Sequence, residues 1–235
     1  MIRPCLTSIR LSRRSIFYLI SLILLVACRA PESGPVVLQV FPTSDTLPEN
    51  LLRMYVQFSE PMKTIGKLEK IKLMDQSGEV VSGAIFNNVY ELWDTEQKQL
   101  TLILDPARVK SGLVANESLG RALQPGQSYQ LLIEDLESVQ HHPLKAAYRK
   151  SFYVRSQDTI PPNVQSWELI PPEFDNAHTL VVRFTDVLDQ MSLRQRLVVV
   201  NDLGEAVPGT IEITAGEQEW HFKPYEDWIS GHYLL

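Results

Sequence analysis

From Val36 onward, apolar and polar residues alternate in short runs punctuated by turn residues. Leu52, Met54, Val56 and Phe58 alternate with Arg53, Tyr55, Gln57 and Ser59. That period of two places one face of a strand in a core and the other in water. Ile71 and Leu73 continue the pattern up to Ser77-Gly78. Leu100, Leu102 and Leu104 resume it and stop at Asp105-Pro106. Tyr129, Leu131 and Ile133 follow Pro125-Gly126, and Phe152 and Val154 close the series. Turn signals recur about every ten to twenty residues with no long amphipathic helix between them, which predicts an all-β sandwich. Residues 63–70 and 106–123 are less regular, and each has room for a short helix or 3₁₀ turn.

The pattern then starts again. DQSGEVVSGAI (Asp75 to Ile85) returns as NDLGEAVPGTI (Asn201 to Ile211), with Gly78, Glu79, Gly83 and Ile85 each recurring 126 residues later. Leu180, Val182 and Phe184 repeat Met54, Val56 and Phe58 at that same offset, and Leu197 and Val199 repeat Ile71 and Leu73. Trp220, Phe222 and Pro224 echo Leu102, Leu104 and Pro106 at an offset of 118, and Gly231 and Tyr233 echo Gly126 and Tyr129. Recurring glycines are expected where tight turns need positive φ. Between the copies, Ser156 to Pro162 (SQDTIPP) reads as a linker stiffened by two prolines that cannot donate ladder hydrogen bonds. The expected organisation is a leader (1–27), a tether (28–35), a first β-domain (36–155), the linker (156–162) and a second copy of that domain (163–235).

In order and spacing, these phrases resemble the SbsA-type bacterial Ig-like family, first defined in S-layer proteins. Phe58-Ser59-Glu60-Pro61-Met62 matches its central phrase, and Asp158-Thr159-Ile160-Pro161-Pro162 matches its opening. Asp75-Gln76-Ser77-Gly78 and Asn201-Asp202-Leu203-Gly204 match its hairpin turn, and Gly126-Gln127-Ser128-Tyr129 its late turn. The second copy departs at Phe184-Thr185-Asp186-Val187-Leu188, which lacks the Pro-Met pair. The resemblance implies tandem Ig-like β-sandwiches and a surface-exposed, multi-domain habit. It carries no catalytic residue with it.

Shifted by 104, the spacing between Tyr129 and Tyr233, Phe152 and Val154 would recur at 256 and 258, past Leu235. The second copy is therefore expected to lack its last strand in this sequence. Three readings are open: a longer natural chain, a rearranged self-sufficient domain, or a groove with unpaired edges completed by a partner's strand.

The N-terminus carries a different pattern. Arg3, Arg10, Arg13 and Arg14 form a basic head without acids, and Ile16 to Ala27 is an apolar run of 12 residues broken only by Ser21. A bilayer span takes about 20 residues, whereas the apolar core of a secretory signal takes roughly 7–15. The run ends in Leu25-Val26-Ala27-Cys28, which resembles the bacterial lipobox. That resemblance implies cleavage before Cys28 and lipid on its sulfur and amine, so that the chain meets a membrane through Cys28. Each buried methylene adds about 0.8 kcal/mol of membrane affinity, and two or more chains hold firmly. Arg29 to Pro35 would be the tether.

Cleavage changes the charge. Of 22 basic residues four lie in residues 1–27, leaving 18 against 28 acidic ones, a formal net charge of −10. That excludes an ordinary nucleic-acid binder, which shows a basic face. Cys5 would be lost with the leader, so no internal disulfide can form and apolar cores must hold both domains.

Candidate chemistry is sparse. His141-His142 are neighbours, and on a strand they would point to opposite faces, so the pair does not chelate one metal. Glu134, Asp135 and Glu137, and Glu91, Asp94 and Glu96, offer oxygens for calcium, but without the spaced loop and glycine of a calcium site. Trp93, Trp167, Trp220 and Trp228 could stack on sugars or pack inside. No Gly-x-Ser-x-Gly, phosphate-cradling glycine loop or Cys-x-x-Cys occurs. The expectation is a protein that is not an enzyme and needs no cofactor. It would be a structural or adhesive module lipid-anchored in the bacterial envelope, at the outer membrane or cell surface rather than the inner membrane, with an envelope protein or glycan as partner. The alternative is an accessory or carbohydrate-binding N-terminal part of a longer envelope enzyme.

Overall fold

The computed structural model describes residues 34–235 except 67, 88, 89, 110, 111, 173–178 and 215. The expected leader, Cys28 and most of the expected tether lie outside the described residues.

In the first copy, eight strands form two antiparallel-dominated sheets. They are β1 (Val37–Phe41), β2 (Thr46–Pro48), β3 (Arg53–Phe58), β4 (Ile71–Asp75), β5 (Leu92–Trp93), β6 (Gln99–Ile103), β7 (Ser128–Ile133) and β8 (Tyr148–Arg155). One sheet runs β1-β3-β6-β5 and the other β2-β8-β7-β4. β1 pairs antiparallel with β3, whereas β2 pairs parallel with β8. The chain therefore changes sheets between Phe41 and Thr46. Pro42 has no N–H to extend β1, and Ser44 turns the backbone by accepting from Thr46 N and donating to Thr46 O. This split first strand with an A-B-E-D and an A′-G-F-C sheet is the immunoglobulin topology.

The period-two residues meet between the layers. Val40, Val56, Phe58, Leu100 and Leu102 face Leu73, Leu131, Ile133, Phe152 and Val154 in one buried cluster. Gln124 N donates to the Tyr129 hydroxyl at 3.1 Å, the tyrosine corner that pins the approach to β7. The two irregular stretches carry the short helices expected of them: a 3₁₀ turn at Leu68–Lys70, α1 (Pro106–Val109) and α2 (Val114–Leu119).

The second copy rebuilds the same first sheet. Its strands are β9 (Glu168–Ile170), β10 (Leu180–Arg183), β11 (Gly209–Thr214) and β12 (Glu219–Pro224), in the order β11-β12-β10-β9. This matches β5-β6-β3-β1 strand for strand. Val182, Phe184, Leu193, Val199, Trp220 and Phe222 form its buried cluster. A helix, α3 (Gln190–Arg196), takes the place of the first copy's 3₁₀ turn, started by Asp189, whose side chain accepts from Ser192 N at 2.8 Å.

The repeat that opened the sequence is one hairpin built twice. Asp75 N donates to Glu79 O, and Asn201 N to Glu205 O; Val81 N donates to Leu73 O, and Val207 N to Val199 O. Asp75 Oδ1 receives Ser77 N and Glu79 N, and Asn201 Oδ1 receives Leu203 N and Glu205 N. Gly78 and Gly204 supply the positive φ of each turn, at 85° and 76°.

Two expectations need correcting. Val56 pairs with Leu100, and Val182 with Trp220, so Trp220 is the counterpart of Leu100, not Leu102, and the offset there is 120. A slip of two residues preserves which face points inward, so a period-two pattern cannot detect it. Gly209 likewise differs from Gly83, which turns at φ 64°; Gly209 sits in β11 opposite Pro224.

The second layer of copy two is slighter among the described residues. Val200 bridges to Ala206 and to Leu234. In copy one Met74 bridges to Val80 and pairs with Gln130, so Leu234 holds the register of Gln130 in β7. Nothing equivalent to β8 occurs among the described residues of this copy. Among those residues no helix is long and apolar enough to cross a membrane.

Candidate functional site

The junction between the copies gathers Lys150, Gln190 and Glu217, three of the five buried polar or charged side chains among the described residues. It begins at the linker, whose first half is fastened to copy one. Asp158 N donates to Asn50 Oδ1 at 2.9 Å, and Asn50 Nδ2 donates back to Asp158 O at 2.6 Å. Arg155 pairs with the Asp158 carboxylate at 2.7 Å and holds its pKa below the ordinary value. Gln157 N donates to Glu49, which also pairs with Arg121 at 2.9 Å.

The second fastening is Glu217. The turns between β5 and β6 and between β11 and β12 are the same turn: Gln97 and Glu217 both have positive φ, and their carbonyls accept from the equivalent Met62 N and Leu188 N. In copy two that position carries a carboxylate, which crosses to the sheet switch of copy one. There it accepts from Thr43 N at 2.9 and 3.1 Å and from Thr43 Oγ1 at 3.0 Å. Lys150 approaches from the far side, donating from Nζ to Thr43 O at 2.8 Å and Ser44 O at 3.2 Å. Glu217 is 2% exposed and Lys150 8%. Lys150 occupies the inward register of Phe152 and Val154 on β8, so its stem lies along the core while its ammonium reaches the switch.

The third fastening is Tyr55. Its place in the alternation assigns it to the wet face of β3, yet it is 3% exposed. Copy two covers that face, and the Tyr55 hydroxyl donates to Asp189 Oδ2 at 2.7 Å. Burial and this bond to a carboxylate push the phenol's pKa far up. Beside it Gln99 Nε2 contacts Met191 Sδ at 3.0 Å. A cleft of about 700 Å³ opens between the copies, lined by Leu51, Leu52, Arg53, Arg155, Asp186 and Val187 among others. Leu52, read as an inward member of the alternation, lies just before β3 at its wall and is 39% exposed. The Thr43 and Tyr55 hydroxyls are engaged by carboxylates across the junction, a chemistry of docking. Gln190 Oε1 is the exception, buried without a donor to it among the described residues.

The residues singled out in the sequence are put to structural use. Glu91 accepts from Ile65 N, Gly66 N and Trp93 Nε1. Asp94 accepts from Lys98 N and Gln99 N, and Glu96 pairs with Lys98. Glu134 pairs with Lys72, and Glu137 with Lys63 and His141. His141 and His142 sit in a turn closed by Ser138 N donating to His142 O. No group of three metal-ligating side chains forms among the described residues. The tryptophans pack: Trp93 on Phe58, Trp167 on Phe184, Trp228 on Phe222 and Tyr233, and Trp220 at 0% exposure stacked on Phe222. Thr43, Tyr55, Lys150, Asp189 and Glu217 escaped the sequence reading, since residues 134 or 174 positions apart share no period.

Burial raises the Glu217 pKa above its ordinary 4.5, against the pull of the Thr43 donors and Lys150. Burial also lowers the pKa of Lys150, which Asp45 and Glu217 oppose. A raised carboxyl pKa in the docked state contributes stability that is complete below about 4.5 and is lost as pH rises through the docked value. The thermal midpoint of the wild type is therefore expected to fall relative to Glu217→Gln as pH rises from about 4 to 7. A difference that stays constant across that range would contradict this sign.

No protein-family model and no curated protein matches the chain. Among solved structures, the S-layer protein SbsC is 11% identical with a TM-score of 0.35, the match covering 90% of this chain and 24% of that one. Alpha-2-macroglobulin from Escherichia coli, spanning domains MG0-NIE-MG1, is 16% identical with a TM-score of 0.33, covering 66% of this chain and 42% of that one. Murine CEACAM1b is 7% identical with a TM-score of 0.19, covering 82% and 85%. The chain thus spans about a quarter of the S-layer protein. The fold assignment stands on the strand pairing above.

Proposed function

We propose that the chain is a lipid-anchored protein of the bacterial cell envelope. In this reading its Ig-like copies act as a non-enzymatic structural or adhesive module of the SbsA type, carried at the outer membrane or cell surface. The observation that carries the proposal is the N-terminal sequence: a basic head, a 12-residue apolar run and Leu25-Val26-Ala27-Cys28 at its end. The phrase Phe58-Ser59-Glu60-Pro61-Met62 supports a scaffolding role. Ser59 Oγ accepts from Val36 N, Pro61 O accepts from Val139 N, and Met62 is buried against the core. Its residues hold turns together.

The test is Cys28→Ala. The wild type is expected in the membrane fraction, released by detergent and not by salt, with a mature N-terminus at Cys28 carrying acyl chains by mass spectrometry. The variant is expected to lose the acyl mass and leave the membrane. Partitioning unchanged by the substitution would remove the lipid anchor from the reading.

A further inference from the structure

We propose that the two copies form one rigid strut and that Glu217 latches it. A body held to another at one point keeps three rotations, at two points one, and at three non-collinear points none. The junction supplies three such points: the linker fastened at Asp158, the Glu217 carboxylate on Thr43, and Asp189 on Tyr55. They lie on different regions of copy one. Asp158 is bound to the loop before β3, Thr43 sits at the switch between the sheets, and Tyr55 is on the outer face of β3.

The linker alone would allow a pivot. Only Thr159 to Pro162 separate the fastened Asp158 from Asn163, which caps the 3₁₀ turn at Val164–Ser166 by accepting from Gln165 N. Prolines 161 and 162 narrow that pivot without removing it. Glu217 is the fastening best placed to remove it, because it holds backbone. The Thr43 amide donates to the carboxylate of the other copy, and its carbonyl is taken by Lys150. Without Glu217, the Thr43 N–H loses the acceptor shown for it, and the switch loses its connection to copy two. The charged groups facing Glu217 belong to copy one: Lys150 on β8, with Asp45 at the switch acting on the same lysine.

The latch does not depend on the lipid. Its test is hydrogen exchange read at single amides in the full-length protein in detergent, with limited proteolysis at residues 159–163. In the wild type the Thr43 amide is expected to be protected and the linker resistant. In Glu217→Ala the Thr43 amide is expected to exchange about tenfold faster and the linker to be cut faster, while the amides of Val56 and Trp220 keep their protection. Unchanged Thr43 exchange and unchanged cutting would overturn the latch. If Glu217→Ala also frees the Trp220 amide, copy two has lost its fold. Tyr55→Phe, which removes only the hydroxyl bonded to Asp189, then decides: faster cutting of the linker with both cores protected supports the three-point attachment, and unchanged cutting overturns it.

Discussion

Trp220→Ala is expected to unfold the second copy while leaving the first one folded. Trp220 is the largest fully buried side chain among the described residues, at 0% exposure in a cluster of six buried residues. Its ring stacks on Phe222 with centroids 5.6 Å apart and planes 7° apart. Removing a buried aromatic side chain to alanine costs about 3–5 kcal/mol, against a total of roughly 5–15 kcal/mol for a whole domain. A core of this size has little to spare. Trp220→Phe should cost much less. It keeps one six-membered aromatic ring and removes the pyrrole ring with its Nε1, which is buried without a hydrogen-bond partner among the described residues and so contributes a desolvation cost of about 1–3 kcal/mol. Urea unfolding monitored by exchange at Val56 and Val182 would separate the copies. Equal losses for the two substitutions, or equal effects on both copies, would refute this account of the core.

Gly209→Ala is expected to destabilise the same copy by crowding it. A Cβ there would lie 2.5 Å from the Lys223 carbonyl oxygen and 2.6 Å from two ring carbons of Phe222. The oxygen belongs to the paired strand β12 and cannot move without opening the ladder, so the cost expected is about 1–3 kcal/mol, the range for overpacking. At Gly83 a Cβ meets nothing within 4 Å, and the cost is the positive φ alone, about 1–2 kcal/mol. The mechanisms separate in a double-mutant cycle. Phe222→Leu should recover some of the loss at Gly209 and none of that at Gly83. Recovery at both, or at neither, would mean that the two glycines serve one purpose.

These glycines also mark how far the sequence could be read. The hairpin at Asp75 and Asn201 was legible because its bonds are local and its turn demands glycine at one position. Trp220 was placed on the correct face but two residues out of register, because alternation reports a face and not a partner. The junction was invisible for a related reason. Tyr55 looks like any outward residue of a half-buried strand until a second body covers it, and Glu217 looks like a solvated turn acid. Hydrophobic periodicity encodes the burial of one face of a strand against the opposite sheet of its own domain. Contact between two finished domains leaves no period behind. Cys28, by contrast, was named by sequence alone and lies outside the described residues.

The change of sheets between β1 and β2 has a consequence for load. β2 runs parallel to β8, with Thr46 opposite Tyr153 and Pro48 opposite Arg155. Tension drawn through the chain enters copy one at β1, reaches β2 past the sheet switch and leaves after β8, so that β2 and β8 are loaded at opposite ends. The two strands are then pulled lengthwise past each other, and the bonds between them must yield together. In a hairpin pulled at its open end the bonds would instead break in succession. The short β2, three residues long, is therefore a second place, after β1 on β3, where the first copy resists being stretched.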